Sequence, residues 1–109
     1  MVAETDGRAI GFAMVGRHEN GSAAELLAIA VRPRWQSCGV GRLLLGAAEE
    51  AARQLLKDRQ PPVLRLTVAE DNAPARRLFE RCGYARRAGI GGVYPNGQRS
   101  IELQKTLTC

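Results

Sequence analysis

The strongest constraint on the fold is a change of hydrophobic period at Val40. Upstream, the run "AAELLAIAV" (residues 23–31) has the length and apolar content of a strand. From Val40 onward, Val40, Leu43, Leu44, Ala47, Ala48, Ala51 and Leu55 follow the i, i+3, i+4, i+7 spacing of an amphipathic helix. Glu49 and Arg53 stand four apart as an exposed ion pair. Lys57 and Arg59 suit the carboxyl end of that helix, and Pro61-Pro62 stop it. "VLRLTVA" then restores a strand. A strand, a long helix and another strand form a right-handed crossover, which makes the two strands parallel.

The remaining elements follow from turn chemistry. "VAET" meets Asp6-Gly7, "RAIGFAMVG" follows, and Asn20-Gly21 leads into residues 23–31. Asp-Gly and Asn-Gly take positive φ readily, so both are hairpin turns and the first three strands are antiparallel. After "VLRLTVA", Asp71-Asn72 supply an N-cap and Pro74 a first-turn residue for the helix "APARRLFERC", which Gly83 ends. Two strands flank "YPNG" as a last hairpin. The order β-β-β-α-β-α-β-β defines an α/β (α+β) fold with a mixed, mostly antiparallel sheet and one β-α-β core. With 109 residues the chain makes one domain, 1–109.

A net charge of +5 favours an acidic partner: nucleic acid, a membrane surface or a phosphate-bearing small molecule. The first two are set aside. Only 5% of residues are aromatic, too few for base-stacking platforms, and no basic run or DNA-reading helix appears. No apolar run has membrane-spanning length, and "MVAETDGR" lacks a signal-peptide pattern. Cys38, Cys82 and Cys109 are odd in number and without a CxxC pair, and His18 is the single histidine, beside the Asn20-Gly21 turn. That pattern argues against a disulfide framework and a metal site, and for the reducing cytoplasm.

A phosphate ligand fits one place. Gln36-Ser37-Cys38-Gly39-Val40-Gly41 lies where a strand hands over to the long helix. Helix amino termini present unpaired N–H groups and partial positive charge, and glycines let an anion approach the backbone. A dinucleotide fingerprint would need a third glycine where Leu44 stands, and a Walker A loop would need Lys-Ser/Thr where Arg42 and Leu43 stand. "AVRPRWQSCGVGRLLL" resembles instead the acetyl-CoA-binding signature of the GNAT superfamily of N-acetyltransferases, with its core Arg/Gln-x-x-Gly-x-Gly/Ala. "LTVAEDNAPARRLFERCGY" is similar to that family's next strand, asparagine, helix and Gly-Phe/Tyr ending. The resemblance runs from about Val2 to Leu107.

The resemblance implies an acetyl-CoA-dependent N-acetyltransferase acting on a primary amine of a small molecule or protein, without a metal. Ile29, Ala30 and Val31 match the strand whose backbone holds the pantetheine arm. Gln36, Ser37, Cys38, Gly39, Val40, Gly41 and Arg42 match the pyrophosphate loop. Asn72 matches the asparagine that contacts the cofactor, with Arg76 and Arg77 beside it for the outer phosphates. The chain begins at the family's second strand, without the first strand and the two helices that wall the acceptor site.

Two further departures concern the chemistry. Phe79 stands where many members carry a tyrosine acid, which leaves Tyr84 as the candidate acid. Thr67 stands where the ribosomal-protein alanine acetyltransferases carry a glutamate base. "GVYPNGQRSIELQKTL" is nonetheless similar to the terminal Tyr-Pro hairpin of that group, which makes Tyr94 a candidate for lining the acceptor groove. Glu25 precedes Gly39 by the spacing of the catalytic glutamate in histone-type members, and strand alternation groups it with Leu27, Ile29 and Val31. Glu25 is thus the candidate base. A non-catalytic acetyl-CoA-binding or interaction module is the alternative. The absent helices and an open sheet edge also lead us to expect a homodimer.

Overall fold

In a computed structural model of the chain, residues 1–17, 21–58, 61–93 and 95–107 are described, with 88–93 described by backbone alone. The strands are β1 (Val2–Thr5), β2 (Arg8–Arg17), β3 (Ala24–Val31), β4 (Val63–Ala69), β5 (Ala85–Val93) and β6 (Arg99–Thr106). The helices are α1 (Val40–Leu55) and α2 (Ala73–Arg81), and a short 3-10 turn spans Pro33–Trp35. The element order is the one expected. A single six-stranded sheet runs β1-β2-β3-β4-β6-β5. All neighbours are antiparallel except β3 and β4, the pair joined through α1.

Both helices lie on one face. Leu44 of α1 approaches Gly11 of β2, and Leu78 of α2 comes within 3.2 Å of where a Cβ on Gly41 would stand. Between helices and sheet, Leu45, Leu56, Leu64, Ile101, Leu103 and Leu107 are fully buried. On the opposite face Phe12, Met14 and Leu27 are 40%, 53% and 57% exposed, and no helix among the described residues covers them.

The face of α1 differs from the one expected. Its buried stripe is Val40, Leu44, Leu45, Ala48, Glu49 and Ala52, while Leu43 is 73% exposed. The two stripes overlap at Val40, Leu44 and Ala48, so helical spacing alone permits either. Packing selects the stripe that carries Leu45 and continues into Leu56. It also buries Glu49, so the expected Glu49–Arg53 surface pair does not form; Arg53 pairs with Glu50 at 3.2 Å.

Glu49 is tolerated inside because it is satisfied. The Tyr84 hydroxyl donates to its carboxylate at 2.8 Å, and Lys105 Nζ of β6 donates at 3.1 Å. The end of α2 delivers Tyr84 there. Gly83, at φ +94°, lets the Gly83 N–H bond Glu80 O at 3.1 Å and the Tyr84 N–H bond Phe79 O at 3.0 Å, a Schellman cap. The Tyr84 ring then meets Phe79 edge-on at 6.0 Å.

Candidate active site

The site begins with one extra residue in β3. Val15 pairs with Leu26 and Met14 with Ala28, which leaves Leu27 unpaired as a bulge. Directly paired residues share a face, so Ile29 (opposite Ala13) and Val31 (opposite Gly11) turn to the helices. Glu25 (opposite Gly16) stays on the open face with Leu27. The alternation expected for Glu25, Leu27, Ile29 and Val31 is therefore broken after Leu27, because a bulge reverses strand phase.

The bulge also bends β3 away from β4. Their ladder holds only at Ala24↔Leu64 and Glu25↔Arg65. Beyond it a groove of about 630 Å³ opens, with Leu27 and Ile29 on one wall and Thr67 and Val68 on the other. Phe79 of α2 and Asn72, the residue just before that helix, line it as well. The backbone edges of β3 and β4 that face each other here have no ladder partner, so a ligand with amide groups finds donors and acceptors on both walls.

At the end of β3 the chain enters the glycine turn. Ser37 and Gly39 both hold positive φ, +67° and +82°. A Cβ on Gly39 would touch nothing within 4 Å, so glycine is required there for conformation rather than space. Gly41 answers a different need, the approach of Leu78. The Gln36 side chain does not project outward: its Nε2 donates to Val31 O at 3.1 Å and braces the turn against β3.

Several N–H groups of the turn remain available. The Gln36 N–H goes to Pro33 O and the Cys38 N–H to Trp35 O, and α1's own ladder starts only with Leu43 N–H to Gly39 O at 3.1 Å. Among the described residues, the N–H groups of Ser37, Gly39, Val40, Gly41 and Arg42 have no acceptor. No acidic residue stands in the first turn of α1, and the Arg42 side chain is exposed there. This is a cradle for an anionic group at the amino end of a 16-residue helix. The Val40 side chain itself is buried in the core.

The other candidates are placed as follows. Asn72 caps α2, its Oδ1 accepting from the Ala75 N–H at 3.3 Å, and it also lines the groove. Ala30 is exposed and pairs with Phe12. Arg76, expected at outer phosphates, is engaged within the chain: Nη1 donates to Glu70 O at 2.8 Å and Nε lies 3.7 Å from Glu80. Tyr84 is not placed as an acid. It is 4% exposed beneath α1, it does not line the groove, and burial first and its bond to Glu49 second push the phenol well above its ordinary range. Tyr94 lies outside the described residues. Glu25 is half-buried on the open face, and its carboxylate has no hydrogen bond or ion pair among the described residues.

One group escaped the motif-based reading. On the open face Arg65, Glu102, Gln104 and Arg87 make a linked set beside Thr67. Its signal was simple alternation: Arg65 between Leu64 and Leu66, and Glu102 and Gln104 flanking Leu103.

The split sheet, the bulge and the helix-starting cradle define an acetyltransferase fold. The chain belongs to the acetyltransferase (GNAT) family, whose model matches residues 1–84. It is 38% identical over 89 residues to the mycothiol acetyltransferase of Thermomonospora curvata, covering 80% of this chain and 28% of that one. It is 34% identical over 86 residues to the ribosomal protein bS18-alanine N-acetyltransferase of Haemophilus influenzae, covering 79% and 56%. The chain thus spans roughly a quarter to a half of the length of these curated relatives. The crystal structure of the Escherichia coli ribosomal-protein-S18-alanine N-acetyltransferase superposes with a TM-score of 0.74 at 25% identity, covering 97% of this chain and 66% of that one.

Proposed function

We propose that the chain is an N-acetyltransferase that takes its acetyl group from acetyl-CoA and passes it to a primary amine. The observation that carries this reading is the set of N–H groups of Ser37, Gly39, Val40, Gly41 and Arg42, which have no acceptor among the described residues and stand where the β3–β4 split begins. The cradle fits a pyrophosphate, and the unpaired edges of β3 and β4 fit the amides of a pantetheine arm. Bound there, acetyl-CoA supplies an acetyl thioester at the groove. Val31, Gln36 and Asn72 hold the walls in place, with Ile29 and Val68 giving an apolar lining.

The residues also limit the proton chemistry. Thr67 and Phe79, at the groove, carry no group able to act as base or acid at neutral pH. Glu25 is the carboxylate left free on the open face, and in this reading it accepts the proton of the attacking amine, directly or through a water. A coenzyme A thiolate is a fair leaving group, so no dedicated acid is required. No helix among the described residues is long and apolar enough to cross a membrane. The free thiols Cys38 and Cys82 support the cytoplasm as the site of action. The sheet ends in two free edges, β1 and β5, which support a homodimer; sedimentation as a monomer at micromolar concentration would remove that part of the reading.

The test is a calorimetric titration with acetyl-CoA, followed by thiol release when a primary amine is added. Saturable binding with amine-dependent release supports the proposal. Binding without release with any amine would leave an acetyl-CoA-binding module instead, and a folded chain that binds no acetyl-CoA would remove the cofactor assignment.

A further inference from the structure

The open face carries an arrangement that the transfer chemistry does not use. Arg65 of β4 and Arg87 of β5 close on one carboxylate, Glu102 of β6. Arg87 Nη1 donates to Glu102 Oε1, and Arg65 Nε stands 4.0 Å from the same oxygen. Arg65 Nε also donates to Gln104 Oε1 at 3.3 Å. The three charged side chains are partly sheltered, at 23%, 28% and 20% exposure for Arg65, Arg87 and Glu102.

Two guanidinium groups on one carboxylate leave one positive charge in excess. Both Nη groups of Arg65, and Nε and Nη2 of Arg87, have no hydrogen-bond partner among the described residues. Glu102 and Gln104 therefore orient two forks whose remaining donors are free. Such a fork matches a planar oxyanion, above all a carboxylate.

The location connects this set to the groove. Thr67 lines the groove, and Glu102 is its direct partner across the β4–β6 ladder. Arg65 lies two residues from Thr67 on the same face, about 7 Å along the strand. On its other side the parallel register sets Glu25 directly beside it. A free carboxylate and two part-engaged arginines thus stand side by side at the closed end of the split.

We infer that the acceptor is an amine that also carries a carboxylate: its amine goes to Glu25 and the groove, and its carboxylate to Arg65 and Arg87. This rests on the acetyltransferase reading and adds the substrate class. A free amino acid and a peptide amino terminus followed by an acidic side chain share this chemistry.

The experiment compares thiol release from acetyl-CoA for 4-aminobutyrate against n-butylamine, and for the amidated peptide Ala-Glu against Ala-Gln. At least one carboxylated member is expected to exceed its neutral partner in kcat/KM by about tenfold or more, through KM, a factor that corresponds to roughly 1.4 kcal/mol. Preference within the first pair alone assigns a small-molecule acceptor, and within the peptides alone a protein one. Arg65→Gln and Arg87→Gln should bring the ratio toward one, and Arg65→Lys should keep part of it. Calorimetric titration of each variant with acetyl-CoA controls for folding. Equal turnover of both members of both pairs, with acetyl-CoA binding intact, would overturn the acceptor class and leave the acetyltransferase reading standing. No release with any amine overturns that reading and this inference with it.

Discussion

Replacing Tyr84 with phenylalanine tests the buried link between the two helices. The ring, its edge-on contact with Phe79 and its burial are retained, so the change deletes a single hydrogen bond, the 2.8 Å contact to Glu49. Hydrogen bonds to charged groups contribute about 1.5–3 kcal/mol. Glu49 keeps Lys105 at 3.1 Å, so its carboxylate is not left alone. We therefore expect a loss of about 2 kcal/mol, which in a domain of this size lowers Tm by about 10 °C. The pH profile adds a second, independent readout. The phenol is raised above its ordinary 10.0 in the folded chain, chiefly by burial and then by Glu49. The unfolded chain thus releases this proton first, and the stabilisation is complete below pH 10 and fades as pH rises above it. Urea unfolding from pH 7 to 11 should show wild type and Tyr84→Phe converging at the alkaline end. A loss below about 0.5 kcal/mol with parallel pH profiles would refute the placement of the hydroxyl against Glu49.

Four further changes probe the fold and the site. Gly11→Ala sets a Cβ 2.8 Å from Ala30 O and 2.9 Å from Leu44, and should cost about 1–3 kcal/mol in thermal melts. Gly46→Ala meets nothing within 4 Å inside α1 and should instead gain about 0.5–1 kcal/mol. Glu25→Gln should slow amine-dependent thiol release by about 10²–10⁴ with little change in calorimetric acetyl-CoA affinity; an unchanged rate removes Glu25 as base. Asn72→Ala should lose about 1 kcal/mol of stability with its cap, and should also weaken acetyl-CoA binding if the groove-lining side chain contacts the ligand.

The order of elements and the glycine turn were legible in the residues, because both depend on local rules. Period, caps and breakers act within a few positions, so Val40, Pro61, Asn72 and Gly83 mark their boundaries without help from distant chain. The parallel joining of β3 and β4 is nearly as local, since a strand followed by a helix of this length returns to the sheet in only one hand. What long-range packing decides was not legible. The choice between two overlapping stripes on α1 depends on Leu45 meeting the sheet and on Tyr84 and Lys105 arriving to satisfy Glu49, which lie 35 and 56 residues away. The bulge at Leu27 is likewise invisible in "ELLAIAV", because an extra residue is defined only against the register of β2. That bulge separates Glu25 from Ile29 and Val31 and opens the groove. Arg65, Glu102 and Arg87 meet only because β6 inserts between β4 and β5. Local rules suffice for the elements, the glycine turn and the family resemblance, whereas which side chains share a face depends on register and packing, which join residues that local rules cannot relate.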